Sequence, residues 1–146
     1  MKQMKLISTV RKSLFIYSAV IAVASLITQL LIAANNSQIT ALNSLLLAII
    51  VLYYVYYVQL SNNGLQKVRF ARLVAHVITY FIVVLSYHVH ALILFAAGRN
   101  VFDDADTIGS SGWFGPLISM TTFWGLGLLV YTVSSIASRG FEAIEK

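Results

Sequence analysis

The sequence predicts an all-α integral membrane protein, a four-helix bundle with short loops and both termini on the cytoplasmic side. Three observations carry that expectation. First, 59% of the 146 residues are hydrophobic and only 10% are charged, whereas soluble domains run about 25% charged. Second, four apolar stretches each reach the ~20 helical residues needed to cross a hydrocarbon core about 30 Å thick. Third, nine of the ten Lys and Arg residues fall on one side of those stretches, with Arg99 alone on the other.

The spans are taken in chain order as a single transmembrane domain over 1–146, with boundaries at about 14–34, 41–60, 73–97 and 113–136. None contains a charged residue. Backbone groups in lipid must be paired within the segment, so helices are the default, and the runs are too long for barrel strands. The first run exceeds the 7–15 apolar residues of a signal peptide, so it is expected to be retained as a span.

The connectors punctuate the spans. Asn35-Asn36-Ser37-Gln38 reads as a tight polar turn, and Ser61-Asn62-Asn63-Gly64 opens a second turn that runs through Lys67, Arg69 and Arg72. Gly98 to Gly112 is the longest loop and carries Asp103, Asp104 and Asp106. Those carboxylates do not follow the alternate spacing of an EF-hand, so a solvated loop is expected there. Pro116 falls in the first turn of the fourth helix, where a missing N–H costs little. Trp113 and Phe114 are expected to lie at the outer interface, as aromatic belts do. Beyond Ala137 the chain can extend the fourth helix, with Glu142 and Lys146 spaced to pair.

Orientation follows from the cations. Lys2, Lys5, Arg11, Lys12, Lys67, Arg69, Arg72, Arg139 and Lys146 share one side, and the positive-inside rule makes that side cytoplasmic. A plasma (inner) membrane fits this multi-pass arrangement. The net charge of +5 and pI near 9.6 are then a topology signal that suits anionic lipid headgroups, not nucleic acid. The absence of cysteine excludes thiolate metal sites and thiol catalysis.

Helices in lipid associate through small residues and interhelical hydrogen bonds. Ser18, Ala22, Ser25 and Gln29 recur at helical spacing on the first span, and Gly125 and Gly127 lie at mid-membrane on the fourth. These form the expected packing face.

Polar residues also sort by depth. Gln29, Asn43, Ser44, His88, His90, Ser119, Thr121 and Thr122 share an outer level. There they either bond one another or line a small polar pocket, for which Gln29, Asn43, Ser44, His88, Ser119 and Thr122 are the candidates. Tyr17, Tyr53, Tyr54, Tyr57, His76, Tyr80 and Tyr131 share an inner level. Tyr17 and Tyr57 there suit the headgroup boundary, with buried rings and wet hydroxyls.

All three histidines lie on the third span. His76 and His90 are separated by ~21 Å along a helix and about 40° around it. That spacing resembles multi-haem cytochromes b, in which one helix offers an imidazole near each face. The resemblance covers those two residues only. It implies a haem b cofactor whose other axial ligands come from a partner or a second copy, since no histidine lies outside this span. No metal site is expected at His88 and His90, which diverge on a helix with no Pro or Gly to kink it.

No phosphate-cradling loop, HExxH motif or catalytic Ser/His/Asp set is present. Acidic residues are absent from the spans, against carboxylate-driven pumping. The expectation is a small non-catalytic accessory or structural subunit of a larger membrane complex, with lipids and other subunits or itself as partners. The alternatives are a haem-binding redox subunit using His76 and His90, and a small-molecule or ion-conducting homo-oligomer.

Overall fold

The computed structural model describes residues 2–61, 64–68, 70–99 and 112–137. Its described part consists of helices joined by turns, with no strand among the described residues. Helix α1 spans Lys2–Ala34, α2 spans Ala41–Val55, α3 spans Ala71–Ala96 and α4 spans Thr121–Ala137. Among the described residues four helices are long and apolar enough to cross a membrane, as the sequence predicts. Lys67, at the end of a short 3-10 turn over Leu65–Lys67, and Lys5, Arg11 and Lys12 on α1 mark the basic end of the bundle.

The helices run alternately up and down. Tyr17 meets Thr79, Ser25 meets Ser86 and Gln29 meets His90, so α1 and α3 are parallel. His76 lies beside Tyr131 and His90 beside Trp113, so α4 runs back along α3. The α1–α3 seam is the most extensive contact. Helix α2 packs on α1, and α4 packs on α3. Helices α2 and α4 barely meet, which leaves a cleft between them.

Two stretches depart from plain α-helix. The chain widens into π turns at Tyr56–Leu60, extending α2, and at Gly115–Met120, leading into α4. In the second, Pro116 has no N–H to give the preceding turn, and the Thr121 hydroxyl contacts the Pro116 carbonyl at 3.4 Å. Wider turns move the following side chains around the axis. They bring Tyr57 and Val58, and Pro116 and Leu117, into the interior.

On α1 the buried row is Tyr17, Ile21, Ser25, Thr28 and Ile32. Of the expected face only Ser25 belongs to it. Ser18 is half-buried and donates to its own backbone at Phe15, and Ala22 is exposed. The seam is built from larger side chains than the small-residue reading anticipates. On α4, a Cβ at Gly125 would meet the Tyr80 hydroxyl at 3.6 Å, whereas Gly127 is exposed with no neighbour within 4 Å.

The end opposite the basic end is a clamp built on the α1–α2 turn. Asn36 and Ser37 both adopt positive φ. The Arg99 guanidinium donates to the Asn36 carbonyl at 2.7 Å and to the Ser37 hydroxyl at 3.3 Å. The Trp113 indole N–H donates to the Ser37 carbonyl at 2.8 Å.

Gly112 holds this corner together. Its φ is +71°, and an added Cβ would lie 2.9 Å from the Ile39 Cβ and 3.0 Å from the Ile39 carbonyl oxygen. A left-handed residue with a side chain costs roughly 1–2 kcal/mol before any clash. Gly112→Ala is therefore expected to destabilise the bundle by at least about 1–2 kcal/mol, read as a lower midpoint of unfolding in mixed detergent. An unchanged midpoint would show that this corner yields freely.

Candidate functional site

The polar side chains fall into two hydrogen-bonded groups, one toward each end of the bundle. Neither coincides with the pocket expected from depth alone.

The group toward the clamp end is centred on Ser86. A hydroxyl has one hydrogen, and Ser86 donates it to the Val83 carbonyl at 2.7 Å. Its oxygen must therefore accept from its other two partners. Ser25 donates at 2.9 Å, and the Gln29 amide donates through Nε2 at 3.2 Å.

With its NH₂ turned to Ser86, Gln29 presents Oε1 to Nδ1 of His90 at 2.8 Å. A carbonyl oxygen accepts only, so Nδ1 carries the proton. The neutral ring then holds a bare lone pair on Nε2. Among the described residues Nε2 takes no hydrogen bond, and it is not one of the sealed polar atoms. The Trp113 ring meets the imidazole edge-on at 5.2 Å and fixes its plane. Tyr87 meets the Trp113 ring edge-on at 6.3 Å.

Gln29, Ser86 and His90 line a groove of about 690 Å³ between α1 and α3, open to the side of the bundle. Its other walls are bulky and apolar, among them Leu26, Leu30, Phe81, Leu85 and Val89.

The remaining pocket candidates lie elsewhere. Ser44 and Ser119 line the separate cleft between α2 and α4, also of about 690 Å³. Asn43 is buried as part of the helix cap, its Oδ1 accepting from both the backbone and the hydroxyl of Thr40. His88 bonds the Val84 carbonyl on its own helix, and Thr122 is exposed. Residues that share a depth point around the axis in different directions, so the six candidates divide between two clefts, a buried helix cap and the helix surface.

The group toward the basic end is aromatic. Tyr17 stacks on Tyr57 with centroids 4.0 Å apart and on Tyr53 at 5.6 Å. Tyr17 and Tyr57 are buried, with relative exposures of 1% and 7%. Their hydroxyls bond Thr79 and Ser13 within the bundle, which corrects the reading of both as buried rings with wet hydroxyls. Beside them the Tyr54 hydroxyl bonds Nδ1 of His76. The His76 ring lies parallel to Tyr131 at 5.8 Å, and Trp124 stands edge-on at 6.3 Å.

A haem on each of His76 and His90 does not fit these residues. Nε2 of His76 exposes under 1 Å² and is closed off from any axial approach. At His90 the Nδ1–H bond to Gln29 leaves Nε2 unengaged, so the paired reading fails at His76. Residue spacing along one helix cannot register such neighbours, which come from α1, α2 and the chain before α4. Among the described residues no three His, Cys, Asp or Glu side chains gather as a metal site. Asp103, Asp104 and Asp106 lie outside the described residues.

Sequence reasoning missed Ser86 and the burial of Trp113. Ser86 lies at i−4 from His90, a spacing that signals a shared face. Trp113 carried no comparable signal. Comparison with family models, with curated proteins and with solved structures found no match to this chain.

Proposed function

We propose that this chain is a non-catalytic accessory or structural subunit of a larger membrane assembly, held in the plasma membrane with both termini cytoplasmic. The observation that carries the reading is the state of α4. No residue of Thr121–Ala137 is buried, and the helix rests on α3 with an open cleft toward α2. The cleft's lining includes Ser44, Ala48, Gly112, Gly115 and Ser119. Small residues of this kind let a second backbone approach closely, the usual basis of helix association in lipid. The partner docks there as a transmembrane helix, from another subunit or from a second copy. Lipid covers the rest, with the cations of the basic end set against anionic headgroups.

Native mass spectrometry of the protein, gently solubilised from its own membranes, tests this. The expected result is added polypeptide mass, lost when Ala48→Leu and Ser119→Leu fill the cleft. A bare monomer from every mild detergent would overturn the proposal.

A further inference from the structure

The two clefts differ in chemistry, and the difference separates their occupants. The α2–α4 cleft sets the small residues Ser44, Ala48, Gly112, Gly115 and Ser119 among larger ones such as Leu47, Val51 and Phe123, whereas the α1–α3 groove is walled mainly by Leu26, Leu30, Phe81, Leu85 and Val89. Bulky walls hold a helix backbone away but accept a flexible chain. Within those walls lies a directed polar chain. Ser86 turns Gln29, Gln29 sets the proton of His90 on Nδ1, and Nε2 is left as an acceptor.

We infer that the α1–α3 groove binds a membrane-soluble amphiphile whose hydroxyl donates a hydrogen bond to Nε2 of His90. The acceptor lies about 9 Å along α3 from Ala96 at ~1.5 Å per residue, within the apolar part of the helix. Water is scarce at that depth, so an unmet acceptor there favours any ligand that brings a donor. An anionic headgroup does not fit. The groove holds no cation, and Arg99 is engaged by Asn36 and Ser37. The volume of about 690 Å³ is that of ordinary small-molecule sites, ~300–1,000 Å³. The ligand class is a hydroxyl on an extended apolar body, such as a long-chain alcohol or a hydroquinone with an isoprenoid tail. The inference is independent of whether the α2–α4 cleft holds a protein.

The test compares two probes on the wild-type protein in lipid nanodiscs: a long-chain alcohol bearing a diazirine, and its methyl ether. The ether keeps the chain and loses the donor. The alcohol is expected to label α1 and α3 residues of the groove, and the ether about tenfold less, the loss of roughly one hydrogen bond. His90→Phe should reduce alcohol labelling to the ether's level. In ¹⁵N-histidine spectra the unprotonated Nε2 resonance of His90 should move with the alcohol and not with the ether. Equal labelling by the two probes, labelling confined to the α2–α4 cleft, or no labelling would each overturn the inference. Because the wild-type comparison needs no variant, a folding defect in His90→Phe would not obscure the answer.

Discussion

Replacing Trp113 with alanine is expected to cost about 3–5 kcal/mol of folding stability, the range for deleting a buried large aromatic. Trp113 is 2% exposed and among the largest fully buried side chains. Its ring packs against Tyr87 and His90 of α3, and its N–H ties the chain before α4 to the α1–α2 turn. The alanine variant therefore loses the dispersion contacts of a ring burying ~150–250 Å² and leaves a void that neighbours refill only in part. Trp113→Phe keeps most of the packing and loses the bond to the Ser37 carbonyl, so a smaller cost of about 0.5–1.5 kcal/mol is expected. Unfolding in mixed detergent, followed by circular dichroism, gives both values. An alanine variant within about 0.5 kcal/mol of wild type, as for ordinary surface changes, would mean that Trp113 lies at the lipid interface after all.

The bond between Tyr17 and Thr79 has a direction, and that direction ranks three variants. Thr79 donates its one hydroxyl hydrogen to the Ala75 carbonyl at 2.7 Å. In its bond with Tyr17 it can then only accept, so the phenol is the donor. Tyr17→Phe removes the donor and leaves Thr79 still bonded to Ala75, at a cost of about 0.5–1.5 kcal/mol. Thr79→Val removes the acceptor and strands a buried phenolic O–H, at about 1–3 kcal/mol. The double variant has no stranded donor and should be more stable than Thr79→Val alone. Interhelical bonds in membranes average ~0.6 kcal/mol, so the order of the three variants is the decisive reading. Tyr17→Phe costlier than Thr79→Val would reverse the assigned direction.

Both cases show where sequence reading reached and where it stopped. That Gln29 and His90 share a level was legible in the sequence, and so was the shared level of Tyr54 and His76. Counting residues from a span edge gives height at ~1.5 Å per residue without any tertiary knowledge. Which face of each helix meets protein was not legible, and the π turns at Tyr56–Leu60 and Gly115–Met120 add a rotation of their own at the end of α2 and the start of the fourth span. The small-residue rule pointed to Ser18, Ala22 and Ser25. The buried row passes through Ile21, Ser25 and Thr28 instead.

By itself the sequence determined the helical class and the four spans. Insertion into lipid depends on the length and composition of each segment, and both are local properties. The tertiary structure alone decided that α1 and α3 form the main seam, that Trp113 is interior, and that the polar residues divide between two clefts. The physical reason is that lipid tails are as apolar as leucine. An apolar side chain gains little transfer free energy by choosing a neighbouring helix over the bilayer. Hydropathy therefore marks what lies in the membrane but not which face meets protein, and that choice falls to shape and to hydrogen bonds between helices.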